Sequence, residues 1–226
     1  MPDISPNPTP ATAAFQTAAP AAAHSGPLDQ TTVRRLKAAL RAEALARRAA
    51  LTPEARREAA AALVAGIDAL DLRPGARIAT FHPIRDEIDP RPMAMVLHDR
   101  GFRLALPALV DSETMVFRAW APGEALLPGT FGLSEPSFAA DAVAPDVVLV
   151  PLAAFDGRGN RLGYGKGYYD RALARLDQAA PPGPRAIGLA FSVQEAVEIP
   201  AESHDRPLDA VLTEAGLRRL DGALPA

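Results

Sequence analysis

The chain has 226 residues, a formal net charge of −3 and no cysteine. This length allows one domain with a full hydrophobic core. The charge balance gives no reason to expect a nucleic-acid partner or an anionic membrane surface. The absence of cysteine excludes disulfides, thiol nucleophiles and cysteine-bound metals, and it agrees with a reducing, cytoplasmic location. No apolar run approaches the ~20 residues of a membrane-spanning helix, and the histidines lack zinc-ligand spacing.

The first 27 residues differ in composition from the rest of the chain. Residues 1–27 are rich in Pro, Ala, Ser and Thr, and Asp3 is their only charged side chain. Such a composition buries too little apolar surface to support a packed structure. The segment also lacks the basic start and apolar core of a secretory signal. We therefore predict a disordered leader over 1–27 and a folded domain over 28–226.

The remaining chain alternates helical and extended patterns. Asp29 and Thr52 are the predicted N-caps of two helices, at about 28–50 and 52–70. The order of helical segments and short β-branched runs predicts an α/β fold with a mainly parallel sheet. The predicted strands are 77–81, 102–110, 115–120, 147–152, 186–191 and 210–212. The other predicted helices are 89–100, a helix from the glycine-rich segment to about 176, and a short terminal helix capped by Thr213.

The most informative segment joins the strand at 147–152 to the helix that follows it. Three glycines alternate with other residues over 163–167, where this helix should begin. Glycine lets a ligand approach the backbone closely, and a helix N-terminus favours anions. Arg161 and Lys166 add positive charge, and Asp170 lies in the first helical turn, where a carboxylate could hold a metal ion. Backbone donors, two cations and a carboxylate predict a nucleotide phosphate site with Mg²⁺.

The glycine spacing matches neither of the two best-known phosphate-binding motifs. A P-loop has four residues between its glycines, whereas one residue separates Gly163 from Gly165. The dinucleotide fingerprint has two residues before its third glycine, and this loop has one. A plain strand-to-helix connection without a ligand is therefore an alternative. The basic and tyrosine-rich flanks favour the ligand-binding interpretation.

The segment Asn160–Asp170, NRLGYGKGYYD, follows the sequence PLAAFD at 151–156. Together they resemble the signature of the 5-formyltetrahydrofolate cyclo-ligase family, and the resemblance extends over about residues 33–213. It implies a single compact domain with a three-layer α/β/α sandwich. It also implies ATP- and Mg²⁺-dependent conversion of 5-formyltetrahydrofolate to 5,10-methenyltetrahydrofolate, with release of ADP and phosphate.

The resemblance assigns the ATP site to two parts of the chain. Lys37 and Arg41 match a Lys-x-x-x-Arg pair on the first helix of the family, although this arginine-rich helix alone would indicate a solvated basic face. The glycine-rich segment supplies the other implied ATP-binding residues, which are Arg161, Leu162, Gly163, Tyr164, Gly165, Lys166, Gly167, Tyr168 and Tyr169. Lys166 and Arg161 are the implied catalytic residues, because phosphoryl transfer depends on positioning and charge neutralisation.

The resemblance also implies a folate site and a magnesium site. The implied folate-binding residues are His82, Glu87, Tyr164, Gly165, Lys166, Gly167 and Tyr168. Asp170 and Asp205 are the implied Mg²⁺ ligands. From the residues alone, Glu87 could be a solvated acid beside Asp86, and Asp205 could serve a turn. Phe131 could line a pterin pocket or simply pack as an aromatic side chain.

Two other functions stay open at this point. The chain could be a folate- or nucleotide-binding module that has lost catalysis, although the presence of Lys37, Arg41, Lys166 and Asp170 argues against that. It could also be a sugar-phosphate isomerase of related architecture, which would need neither ATP nor a lysine in the loop. The favoured function implies two small-molecule partners, ATP and 5-formyltetrahydrofolate, and neither nucleic acid nor membrane. We expect a cytoplasmic monomer.

Overall fold

A seven-stranded, mainly parallel sheet forms the centre of the computed structural model, which describes residues 29–202 and 205–220. The strands are β1 (Arg77–Ala79), β2 (Arg103–Leu109), β3 (Met115–Ala119), β4 (Leu127–Pro128), β5 (Ser134–Glu135), β6 (Val147–Pro151), β7 (Ala154–Phe155), β8 (Arg161–Leu162), β9 (Arg185–Leu189), β10 (Ala210–Thr213) and β11 (Gly216–Arg219). The helices are α1 (Gln30–Ala49), α2 (Pro53–Ala65), α3 (Arg91–Asp99) and α4 (Tyr168–Ala179).

The central sheet has the strand order β11-β10-β9-β6-β1-β2-β3. Its inner strands, from β10 to β2, are parallel, whereas β11 and β3 pair antiparallel at the two edges. The hairpins β4–β5 and β7–β8 form separate two-stranded sheets. Inner parallel strands are covered on both faces, which explains why β6 is an almost continuous run of buried valine and leucine.

Helices cover both faces of the sheet. Val148 and Val150 of β6 pack with Leu173 of α4, whereas the alternate residue Leu149 packs with residues of α2 and α3 on the opposite face. This alternation follows from the two-residue period of side chains along a strand. The α/β fold with a mainly parallel sheet between two helical layers is therefore confirmed. Helix α1 packs partly against the β7–β8 hairpin, where Ala44 contacts Ala154 and Leu162 in a smaller apolar cluster.

The predicted caps of the first two helices are present. The Asp29 carboxylate accepts hydrogen bonds from the amides of Thr31 and Thr32 at 2.9 and 3.0 Å. The Thr52 hydroxyl accepts one from the Ala55 amide at 3.1 Å, with Pro53 as the first helical residue. These caps satisfy amides that have no partner within their own helix.

The prediction of a terminal helix after Thr213 is wrong. Residues Gly216–Arg219 form β11, which pairs with β10 through a two-residue turn. The Thr213 hydroxyl accepts a hydrogen bond from the Ala215 amide at 3.1 Å, an interaction that starts turns as well as helices. The predicted leader, residues 1–27, lies outside the described residues. Within the described ranges, no helix combines the length and apolar character needed to cross a membrane.

Candidate active site

The loops after β1 and β6 meet at the carboxyl edge of the sheet. These two strands are parallel neighbours, and the chain leaves them in opposite directions, from β1 to β2 and from β6 to β9. Such a point opens a crevice that commonly binds ligands in α/β proteins. A cavity of about 670 Å³ occupies it here. This volume lies within the range of small-molecule sites, roughly 300–1,000 Å³.

The cavity brings together every site residue predicted from the sequence. Its walls include Lys37, Arg41, His82, Glu87, Arg161, Leu162, Gly163, Tyr164, Gly165, Lys166, Gly167, Tyr168, Tyr169, Asp170 and Asp205. They come from α1, the loop after β1, the glycine-rich segment and the segment before β10. Their convergence is a structural finding, whereas their individual roles in binding and catalysis stay predictions.

The glycine-rich segment leads directly into α4. Gly165 and Gly167 have φ angles of 88° and 66°, a left-handed conformation that favours glycine over all other residues. Gly167 is the N-cap residue, and no described side chain caps the first turn of the helix. The N-terminal amides of α4 are therefore not occupied by a side-chain cap from the described residues, and their binding of an anion stays a prediction.

Two cations of α1 approach this loop and the segment before β10. Lys37 Nζ donates to Glu202 Oε2 at 2.7 Å and to Asp205 Oδ2 at 2.6 Å. Burial alone would lower the pKa of Lys37, but these two carboxylates raise it above its ordinary value. Arg41 Nε donates to the carbonyl of Gly163 at 2.6 Å. One face of α1 thus contacts both the glycine-rich loop and the acidic segment, which is the segment before β10 that carries Glu202 and Asp205.

Arg161 is buried beneath the cavity, with 6% of its side chain exposed. Its Nη2 donates to Asp170 Oδ1 at 2.6 Å, and its Nη1 donates to the carbonyl of Arg206. Burial lowers the pKa of Arg161, while Asp170 opposes that shift. Arg161 therefore fixes the orientation of the Asp170 carboxylate in the cavity wall.

Glu87 and Tyr164 form the wall beside the loop after β1. The Glu87 carboxylate accepts a hydrogen bond from the Ile84 amide at 3.0 Å, and it interacts electrostatically with the Tyr164 hydroxyl, which lines the same cavity. Burial raises the pKa of Glu87 above that of an exposed glutamate. Burial also raises the pKa of Tyr164 to about 12, so this hydroxyl stays protonated and can donate. Burial, and then Arg91, lowers the pKa of His82, which favours a neutral imidazole.

The opposite wall is aromatic. Lys166 Nζ lies 5.2 Å from the centroid of the Phe131 ring, and the Tyr168 ring lies 6.5 Å from the same centroid. The Tyr168 hydroxyl donates to the carbonyl of Ser112 at 3.0 Å. Tyr169 packs against Phe117, and burial raises the pKa of its hydroxyl. Phe131 is 62% exposed, so its ring is accessible to a flat ligand as well as to Lys166.

The cavity offers Asp170 and Asp205 to a metal ion. Within the described residues, no group of three or more acidic or histidine side chains is arranged as a metal site. Mg²⁺ commonly takes only one or two carboxylates and completes its shell with water and substrate phosphates. The carboxylates present therefore suit a Mg²⁺ ion that arrives with a phosphate ligand, rather than one held by the protein alone.

Sequence reasoning missed several residues of this cavity. The missed charged residues are Arg34, Arg85 and Glu202, and the missed apolar residues include Pro107, Leu109 and Met115. Arg34 precedes Lys37 by three residues and so shares its helical face, a signal that the sequence did contain. The apolar residues come from β2 and β3. Only the sheet order brings them to the site, so no local pattern could have identified them.

Comparisons with known proteins agree with this geometry. A sequence model described as the 5-formyltetrahydrofolate cyclo-ligase family matches residues 33–214. A 5-formyltetrahydrofolate cyclo-ligase of Escherichia coli K12 is 32% identical over 142 residues, 60% of this chain and 76% of that protein. One of Mus musculus is 30% identical and covers 81% of this chain and 96% of that protein.

Two solved structures are also similar to this chain in sequence and in fold. The 5,10-methenyltetrahydrofolate synthetase of Aquifex aeolicus is 31% identical, with a TM-score of 0.71 over 84% of this chain and 96% of that one. That of Mycoplasma pneumoniae is 25% identical, with a TM-score of 0.63 over 79% of this chain and 98% of that one. The residues matched by the family include most of α1, the loop after β1 and the glycine-rich segment, which together line the cavity. The chain therefore belongs to the 5-formyltetrahydrofolate cyclo-ligase family.

Proposed function

We propose that this chain is an ATP-dependent ligase that converts 5-formyltetrahydrofolate to 5,10-methenyltetrahydrofolate and releases ADP and phosphate. Family membership supports the activity. One structural observation supports its location: a cation-rich, glycine-lined loop and a half-buried glutamate share one cavity at the switch point of the sheet. A site of this kind can hold a polyphosphate at one end and a hydrogen-bonding heterocycle at the other.

The chemistry requires both substrates side by side. The oxygen of the formamide is a poor leaving group, so the γ-phosphoryl group of ATP is transferred to it and ADP is released. The resulting imidate-like phosphate has an electrophilic carbon. The neighbouring folate nitrogen attacks that carbon, loses its proton and closes the ring, and inorganic phosphate departs. Such transfer needs mainly positioning and charge neutralisation from the protein.

At the phosphate end, we assign the charges of the cavity to ATP. Lys166 neutralises charge on the transferring phosphoryl group, and Lys37 and Arg41 hold the remaining phosphates with the loop amides. Mg²⁺ bound with ATP would lower the negative charge of the phosphates, with Asp170 and Asp205 as its protein ligands. Arg161 supports this arrangement by fixing Asp170, to which it donates at 2.6 Å.

At the folate end, we assign Glu87 to the pterin. An ionised carboxylate accepts hydrogen bonds from the N–H groups of such a ring, and Glu87 already accepts one from the Ile84 amide. Tyr164 and His82 flank it on the cavity wall. Phe131 and Tyr168 offer aromatic faces to a flat ligand. The folate carbon that reacts would then lie between Glu87 and Lys166.

The decisive experiment follows the absorbance of the methenyl product with the purified full-length chain. We expect product formation only when 5-formyltetrahydrofolate, ATP and Mg²⁺ are all present, with one phosphate released for each product formed. Tetrahydrofolate without the formyl group should give no phosphate above background. Binding of both substrates without product would instead indicate a module that has lost catalysis. Turnover of sugar phosphates without ATP would indicate an isomerase.

We also propose that the active unit is a monomer in the cytoplasm. All the predicted site residues of one chain line the same cavity, which supports a site formed within a single chain. The absence of cysteine agrees with a reducing compartment. Light scattering after size exclusion, at the protein concentration of the assay, tests the monomer, and an active dimer with an inactive monomer would contradict it.

A further inference from the structure

Tyr164 connects the glycine-rich loop to two other parts of the fold. Its hydroxyl accepts a hydrogen bond from Arg48 Nη2 of α1 at 2.9 Å. The same Nη2 atom donates to Asp86 Oδ1, in the loop after β1, at 2.5 Å. The Tyr164 hydroxyl also interacts electrostatically with the Glu87 carboxylate, which lines the same cavity. One arginine thus contacts both loops that the proposed function assigns to the substrates.

Arg48 is buried to an extent that is unusual for arginine. Only 1% of its side chain is exposed, and two of its nitrogens, Nε and Nη1, have no hydrogen-bond partner in the described part of the chain. Burying a charge with incomplete pairing costs free energy, and an apolar residue of similar size would often stabilise the fold more. Stability alone therefore does not explain an arginine at this position.

The surroundings of Arg48 fix both its backbone and its side chain. Arg56 of α2 donates to the Arg48 carbonyl at 2.6 Å and to the Asp86 carbonyl at 2.7 Å. The Arg48 guanidinium carbon also lies 5.9 Å from the centroid of the Tyr164 ring, within the range of a cation–π contact. Helix α2 therefore fixes the backbone that carries Arg48 and Asp86, and both loops contact the guanidinium itself.

Arg85 adds a second guanidinium to the same ring. Its guanidinium carbon lies 5.8 Å from the centroid of Tyr164. Arg85 has a φ angle of 54°, a left-handed conformation that is unfavourable for a residue with a long side chain. Strain of this kind persists only where the surrounding structure imposes it, and it is concentrated at functional sites. The contact with Tyr164 keeps the strained loop after β1 against the glycine-rich loop.

We propose that Arg48 is a positioning residue that couples the two substrate sites, because it joins Tyr164 of the ATP loop to Asp86, the residue before Glu87 in the folate loop. This inference rests on the proposed function, which places ATP at the glycine-rich loop and folate at Glu87. When a nucleotide orders the glycine-rich loop, Tyr164 is held toward Glu87, and the folate site is already formed. By thermodynamic linkage, folate then tightens nucleotide binding by the same factor.

The test measures the dissociation constant of 5-formyltetrahydrofolate by calorimetry, with and without the Mg²⁺ complex of a non-hydrolysable ATP analogue. The coupling factor is the dissociation constant without the analogue divided by the dissociation constant with it. For the unmodified chain we expect at least about a fivefold tightening by the analogue, the lower end of typical coupling between sites. In Arg48→Met and Tyr164→Phe the ratio should fall toward one. The double variant should show no further loss, because both residues act in one connection.

Arg35→Met is the matched control. It removes a cation from the same helix at an exposed position, and we expect it to keep the coupling ratio of the unmodified chain. If Arg48→Met does not fold, the coupling ratio of Tyr164→Phe tests the inference. This variant deletes one hydroxyl and keeps the ring. Unchanged coupling in a folded variant, or no coupling in the unmodified chain, overturns the inference. Failure of the unmodified chain to form the methenyl product would instead overturn the proposed function.

Discussion

The charged side chains of the cavity differ in how they are paired. Lys37 contacts two carboxylates and Arg161 contacts Asp170, whereas Lys166 forms no salt bridge with any residue that the structure describes. Lys166 instead lies over the Phe131 ring, an interaction that the sequence did not predict. A cation that is not already paired with a carboxylate is better able than a paired one to respond to charge that develops during phosphoryl transfer.

Replacing this cation should affect catalysis more than folding. Lys166→Met keeps most of the side-chain length and removes the charge, and we expect turnover to fall by ~10²–10³ because an electrostatic stabiliser of the transition state is lost. The melting temperature should change little, since Lys166 is exposed. Lys166→Arg, which keeps the charge, should retain more turnover than Lys166→Met. Normal turnover in folded Lys166→Met would refute the catalytic assignment, and unfolding would show that the loop lysine is structural.

Glu87 should show opposite effects on binding and on stability. Loss of one charged hydrogen bond costs about 1.5–3 kcal/mol, so Glu87→Gln should raise the KM for formylfolate roughly 10- to 150-fold and leave that for ATP nearly unchanged. Burial raises the pKa of Glu87, so the ionised carboxylate disfavours folding at neutral pH. Glu87→Gln should therefore be at least as stable at pH 7, with the difference disappearing below the unfolded-state pKa.

Steady-state kinetics and melting curves across pH measure both effects of Glu87→Gln. In the unmodified chain, the KM for formylfolate should rise as the pH falls through the raised pKa of Glu87, because protonation removes the ionised acceptor. Equal increases in both Michaelis constants, or a KM for formylfolate that does not depend on this carboxylate, would contradict its assignment to folate.

Asp170 should affect the requirement for magnesium. Asp170→Asn keeps an oxygen that can accept from Arg161, but it removes the negative charge that the proposed Mg²⁺ site needs. The activity defect should therefore shrink as Mg²⁺ is raised, while the melting temperature falls because the buried Arg161 loses its ion pair. Titration of activity with Mg²⁺ gives the measurement. A defect of constant size across the Mg²⁺ range would argue against a metal-binding role.

At the scale of elements, the sequence predicted the parts of the site that lie close together along the chain. The glycine-rich segment, its cations and the following helix form a local pattern with a physical meaning, and all of them line the cavity. The Arg48 connection was not predicted, because the arginines of α1 look alike in the sequence. A signal existed, since Arg48 lies seven residues after Arg41, two helical turns along the same face.

The terminal strand shows where local reasoning fails. Thr213 can begin either a helix or a turn, because in both cases its hydroxyl accepts from an amide two or three residues later. Pairing with β10 decides in favour of the strand β11. That pairing depends on a tertiary neighbour, and the same is true of the cavity residues from β2 and β3. These contacts have no signature in the sequence near them.

The glycine-rich loop allows a matched pair of substitutions. Gly165 has a φ angle of 88°, so Gly165→Ala should cost about 1–2 kcal/mol and lower turnover as the loop amides shift. Gly163 is not among the glycines with a positive φ angle, and an added Cβ there meets no atom within 4 Å. Gly163→Ala should therefore leave the melting temperature unchanged. Thermal melting of both variants is the measurement, and equal stabilities would show that the left-handed conformation is not required.

At the scale of the whole molecule, the strand order decides where the chemistry takes place. The chain leaves β1 and β6 in opposite directions, so their following loops separate and leave a crevice between them. Helix α1 then spans this crevice from outside the sheet. Its residues contact the glycine-rich loop through Arg41, the acidic segment through Lys37 and the loop after β1 through Arg48. A helix that precedes the whole sheet in sequence thus connects three separate segments of the site.

Because α1 has this role, its N-terminus should mark the boundary between dispensable and necessary sequence. From the composition of residues 1–27, rich in Pro, Ala, Ser and Thr, we predict that this segment contributes nothing to the folded domain. A truncated chain that starts at Leu28 keeps the Asp29 cap, and we expect it to retain full activity and melting temperature. A second truncation that starts at Val33 removes Asp29 and its hydrogen bonds to the Thr31 and Thr32 amides.

Loss of an N-cap typically costs about 1 kcal/mol, which corresponds to roughly 2–4 °C in the melting temperature of a chain of this size. The truncation that starts at Val33 should therefore melt earlier and lose activity, because fraying of α1 displaces Lys37 and weakens its contacts with Glu202 and Asp205. Turnover and thermal melting of the two truncated chains, measured side by side, test the boundary. A large loss on removal of 1–27 alone would show that the leader contributes to the folded enzyme.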